Sequence, residues 1–303
     1  MNCDHDGLAA KAVIEGVSAS DPAAVREMLD PITEGDAVTR SAVDAAVSDT
    51  SKLLATAETR VELVENAYED ALAAADPVAG VPIVGHRLDG FGSRLSAVES
   101  RVATLRLDVP ADVLEAPQVA YDLATELRDV ATTAQAVAVT ADDLSSDLDR
   151  FESWLARPSQ RYGEFDEDVD LVAESLDGIN AAADALPDTP DEPATRWADL
   201  TMQAAVLSLL VADLDAELAG LRTLAESADE PLRDDLRDRL DRVRRRVVDV
   251  ESTLSGMVVP SWRDRYAADL DAFEAELATF GPPVEWGAVE RTLAAHRPVD
   301  PAV

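Results

Sequence analysis

Apolar and small side chains return along most of this chain at alternating intervals of four and three. The longest run starts at Leu123 and continues through Leu127, Val130, Ala134, Val137, Ala141, Leu144, Leu148, Phe151 and Leu155, with no proline between Pro117 and Pro158. That alternation keeps every one of these side chains on a single stripe of a slightly underwound helix. Pro117 suits a first helical turn, where its missing N–H costs nothing, and Pro158 closes the segment. The pattern predicts a helix of about 40 residues, roughly 60 Å long at 1.5 Å per residue.

The same spacing recurs. It runs from Leu54 to Ala71 inside a long early helix from about Thr39 to Ala75, from Leu88 to Leu105, and from Phe165 to Leu186. It continues from Trp197 to Leu221, Leu232 to Leu254 and Trp262 to Leu277, with a short final helix from Trp286 to Leu293. Breaks fall at Asp76–Gly85, Val109–Pro117, the three-proline stretch Pro187–Pro193, and Gly281-Pro282-Pro283. No segment alternates with period two over a strand's length. Short connections between long helices force antiparallel neighbours. The expected fold is therefore all-α: one or two elongated antiparallel helical bundles with long, heptad-patterned, coiled-coil-like helices. Three segments are expected: 1–80 with a short helix and a long one, 81–190 as a central bundle, and 191–303 as a C-terminal bundle and tail.

The first 40 residues depart from this grammar. Asp21-Pro22 opens a short helix over Ala23–Leu29, Pro31 to Asp36 turns the chain, and Thr39 is placed to cap the next helix near Arg40. A helix-turn-helix is conceivable here. With Glu27, Asp30, Glu34, Asp36, Asp44 and Asp49 around it, a packing role is expected rather than DNA reading.

Composition sharpens the picture. Hydrophobic residues make up 47% of the 303 and aromatics only 4%, so a core must be built from Ala, Leu and Val, which suits helix on helix. The chain carries 61 acids against 26 bases, a formal charge of -35. A nucleic-acid binder needs a basic face to displace counterions, so that class is excluded, and an anionic membrane surface is disfavoured. The acids are 38 Asp and 23 Glu, and the bases 24 Arg and only Lys11 and Lys52. Self-repulsion on this scale strains a compact state unless molar salt screens it. A cytoplasmic protein from a cell that keeps molar salt inside is the simplest expectation. The N-terminal residues show no basic start with an apolar run, and the most apolar window, Ala204–Ala212, is far short of the ~20 residues of a membrane span.

Little chemistry stands out. Cys3 is the only cysteine, which leaves no intrachain disulfide and no multi-cysteine zinc site. His5, His86 and His296 share no helical spacing, and no phosphate-loop, dinucleotide or nucleophile-elbow motif occurs. Carboxylates are so common that spacing alone identifies none. The densest run, Glu164 to Asp170, lacks the glycine and ligand order of a calcium loop and reads as a solvated helix face. The expectations are no catalytic, cofactor or metal residues and no small-molecule ligand. One basic cluster interrupts the acidity, and Arg239, Arg242, Arg244, Arg245 and Arg246 are the candidate docking residues for an acidic partner or a second copy. Asp235–Arg239, Asp238–Arg242 and Asp241–Arg245 sit at i,i+4, but the acids on this helix are too few for the Arg244–Arg246 end.

Two blocks also resemble a known family. Asp21 to Thr33, continuing through Val38–Val43 to Thr56–Leu63, is similar to haloarchaeal proteins labelled halo transducer proteins. Phe151-Glu152-Ser153-Trp154-Leu155, Asp168-Val169-Asp170 and Glu174–Asp177 are similar as well. The likeness covers about a third of the chain and carries no site motif. It implies a halophilic, helical protein and, taken at its label, an adaptor in a transducer pathway. The chain lacks a receptor's membrane span and the paired acids of a methylation segment. The function expected from the sequence is a non-enzymatic cytoplasmic scaffold acting through protein–protein contacts. The alternative is a soluble signalling adaptor.

Overall fold

Proline opens six of the helices among the described residues, each time in the first turn, where no intrahelical N–H bond is lost. The computed structural model describes residues 7–17, 21–188 and 192–298. In chain order the elements are β1 (Gly7–Ala9), α1 (Ala10–Gly16), α2 (Pro22–Leu29), β2 (Thr33–Glu34), β3 (Ala37–Thr39), α3 (Arg40–Ala75), α4 (Pro82–Thr104), α5 (Pro117–Ala156), α6 (Pro158–Ala185), α7 (Pro193–Ser227), α8 (Asp235–Met257), α9 (Pro260–Leu277) and α10 (Trp286–His296). Among the described residues the fold is all-α apart from one small sheet. Two compact units emerge, and neither follows chain order. One takes residues up to 74 with 88–152; the other takes 75–87 with the chain from 153 onward.

In the first unit, Asp21 Oδ1 accepts the Ala23 amide at 2.9 Å to cap α2, and Thr39 Oγ1 accepts the Ala42 amide at 3.2 Å to cap α3. Between them the chain makes strands the sequence did not announce. β3 lies in the middle of an antiparallel sheet, pairing Val38 with Leu8 of β1 and Thr33 of β2, and Gly35 turns the hairpin at φ 67. Strand, two helices and hairpin follow one another in this order. The exposed residues of α2 are Pro22, Ala23, Ala24, Arg26 and Glu27, a single base beside a single acid. Val13, Val25, Leu29, Ile32, Val38 and Val43 close over Ala120, Leu123, Ala124 and Leu127 at the start of α5.

α5 is 40 residues long. Its four-three stripe is buried from Leu127 through Phe151; at the end Trp154 is buried instead and Leu155 only half so. α4 starts at Pro82, inside the stretch that reads as a loop up to Gly85.

In the second unit α6, α7 and α8 pack on one another pairwise. Asp166 and Asp170 of α6 meet Arg239 near the start of α8, and Asp177 meets Arg246 about two turns on, so these two helices run in the same sense. α7 runs the other way: its Ser208 reaches Glu251, its Asp215 reaches Arg244, and the Trp197 indole donates to the Leu254 carbonyl at 2.9 Å. Arg161 is buried at the first turn of α6. Its guanidinium donates to the Trp154 and Leu155 carbonyls at 3.1 and 2.7 Å and to Glu230 at 2.7 Å. One buried cation thus serves the orphan carbonyls at the end of α5 and holds the α7–α8 connection.

Candidate functional site

The arginines of α8 occupy two different faces. Arg239 bridges Asp166 and Asp170, Arg246 pairs with Asp177, and Arg244 pairs with Asp215 at 2.8 Å and Asp241 at 2.7 Å. The acids missing along α8 are supplied by α6 and α7. Arg242 and Arg245 point outward. Arg242 donates to the Asp238 carbonyl of its own helix, and Arg245 is exposed beside Val248, itself 58% exposed.

The acidic run Glu164 to Asp170 divides among neighbours rather than forming one solvated face. Asp166 and Asp170 face α8, Glu164 takes both terminal nitrogens of Arg87 at 3.2 Å, and Asp168 turns into a cleft.

That cleft, about 810 Å³, lies between the start of α4, the middle of α6 and α7, and the loop into α10. One face of α7 forms its floor, because Asp213, Glu217 and Gly220 recur at i, i+4 and i+7. Gly220 allows the close approach of α4: a Cβ there would meet Ile83 at 2.8 Å. Asp213 is committed to structure. Its two oxygens accept the Val284 amide at 3.1 Å and the Trp286 indole N–H at 2.9 Å, fixing the loop that closes one end. Arg87 lies with its guanidinium 4.3 Å above the Trp154 ring and 3.7 Å from Glu217 Oε1, too far to hydrogen-bond. Glu217 Oε1 is buried and has no hydrogen-bond partner. Burial pushes its carboxyl up to about 7; Arg87 opposes this, while Asp168, Asp213 and Glu164 add to it. Asp168 is raised for the same first reason, burial, again against Arg87 and with Glu164, Glu167 and Asp213 adding.

The chain matches no family model, no curated protein and no solved structure. The cleft must therefore be read from its own chemistry: two carboxyls poised to hold a proton or a positive charge, set in an apolar wall.

Of the histidines, His86 is half-buried on the wall of this cleft, and His296 Nε2 lies 3.0 Å from Glu276 Oε2 beside Phe273. His5 and Cys3 lie outside the described residues. No group of three or more His, Cys, Asp or Glu among the described residues is placed to hold a metal ion, and no described helix is long and apolar enough to cross a membrane.

Proposed function

We propose that the chain is a non-enzymatic helical scaffold acting through protein–protein contact in a high-salt cytosol. In this reading its long helices form elongated antiparallel bundles along heptad seams of the coiled-coil kind. Support for the seams comes from the unbroken burial of Leu127 to Phe151 along α5. The observation that carries the contact function is the outer face of α8. Arg242, Arg245 and Val248 recur there at i, i+3 and i+6, exposed, while Arg239, Arg244 and Arg246 are paired with acids of the same chain. Two guanidiniums followed by an apolar side chain on a chain of charge -35 form a spot that attracts an acidic helix, from a partner or from a second copy.

Exchanging Arg242 and Arg245 for Glu tests this in molar KCl. The fold should be unaffected, since exposed positions usually change stability by no more than about 0.5 kcal/mol. Association measured by light scattering and by co-purification should be lost, because like charges then face each other across the contact. Association unchanged in the double variant counts against this face.

A further inference from the structure

The cleft of the second unit answers to no part of the scaffold reading, and its charges do not balance. Its walls carry His86 and Arg87 from α4, Asp168 from α6, Asp213 and Glu217 from α7, and Glu290 from α10, with Glu164 of α6 just behind Arg87. Asp213 is saturated by Val284 and Trp286, and Arg87 donates its hydrogen bonds to Glu164. Glu217 and Asp168 are left facing the cavity, with the Arg87 guanidinium shared among three acids. A buried carboxylate without a donor is costly, and a cation with its own N–H groups is the kind of group that offsets such a cost.

A bare metal ion does not fit, because no described cluster supplies three ligands. Apart from Thr223 the remainder of the lining is mainly apolar, with Ile83, Leu171, Leu210, Leu214 and Val284 in it and Leu171 59% exposed. We propose that the cleft binds a small organic primary ammonium with an apolar body, its nitrogen donating to Glu217 and Asp168 and its body lying along Ile83, Leu210 and Leu214. A primary ammonium suits this place because it has three donors for an acceptor that has none. A quaternary ammonium would neutralise the charge but bring no N–H to the Glu217 and Asp168 carboxyls that line the cleft.

The binding is linked to protons. Glu217 keeps its proton up to about pH 7, and the protonated carboxyl competes with the ligand. Affinity should rise about tenfold between about pH 6 and about pH 8, with protons released on binding. His86 faces the same cavity, so the linkage must be shown to belong to Glu217.

Calorimetric titration of the full chain with octylammonium in molar KCl provides the test. Octanol, octanoate and octyltrimethylammonium serve as neutral, anionic and quaternary comparisons. Saturable one-to-one binding of octylammonium, at least tenfold tighter than the other three, is the expected result. The E217Q variant should lose at least tenfold in affinity together with the proton release, and D168N should weaken binding while retaining it. His86→Gln should leave the pH dependence in place. Circular dichroism on each variant establishes that it is folded. No binding by the wild-type chain, equal binding of octanol, or an E217Q variant that binds as tightly as wild type overturns the proposal.

Discussion

Glu217 is the residue at which the chain departs most from the economics of a helical core. In the folded state it holds a proton to about pH 7, whereas its ordinary value is 4.5. Between those limits the native state binds more protons than the unfolded one, so stability falls as pH rises through the window. Gln in its place cannot ionise. E217Q should melt with wild type near about pH 5 and above it near about pH 8, by up to about 3 kcal/mol of stability. Thermal melts of both proteins in molar KCl decide this; an equal shift at both pH values would mean that packing, not the charge, sets the difference. Nothing in the sequence singled the residue out. With 61 acids in the chain, a carboxylate has no diagnostic weight. The signal that existed was positional: Asp213, Glu217 and Gly220 repeat at helical spacing along one side of a Leu-rich helix. Its meaning depended on α4 and the Val284–Trp286 loop, which lie far away in sequence.

At the level of elements, the helices were legible because two independent signals agree. Proline and cap residues mark the starts, and the four-three stripe marks the inner face. Leu144 and Leu148 are fully buried in that stripe, and Asp143, next to Leu144, is exposed. Leu144→Ala or Leu148→Ala should cost about 2–5 kcal/mol, through lost transfer energy and the cavity left behind. Asp143→Ala should cost no more than about 0.5 kcal/mol. Denaturant unfolding of the three variants compares them directly, and the reverse order would put the wrong face inward. Asp147 is a different case from Asp143, because it pairs with Arg94 at 2.8 Å and with Arg150 at 2.9 Å. The strands escaped notice for a simple reason: two or three residues cannot display a period of two. The partners of Arg239, Arg244 and Arg246 escaped for another. Along a helix only i,i+3 and i,i+4 neighbours can be read, while Asp170, Asp215 and Asp177 come from other helices.

For the molecule as a whole, the two units cut across chain order, so consecutive segments could not describe them: 75–87 belongs with the chain from 153 onward, separated from it by two long helices. What the sequence did carry at this scale is the charge. The internal ion pairs and the overall repulsion respond differently to salt. Contacts such as Arg60–Asp142 at 2.7 Å and Arg94–Asp147 at 2.8 Å act within the Debye length even in molar salt, which is roughly 3 Å. Repulsion among the other acids acts over longer distances and is the part that molar salt removes. Salt therefore weakens the attraction less than the repulsion, and the compact state gains. Helicity should fall as KCl drops below roughly 0.5 M, as the lengthening Debye length lets more of the acids repel one another. Circular dichroism followed along a KCl titration, with melting temperature as the second reading, checks this. If both stay constant as the salt is withdrawn, the ion pairs outweigh the repulsion, and the acidity is not an adaptation to a salt-filled cell.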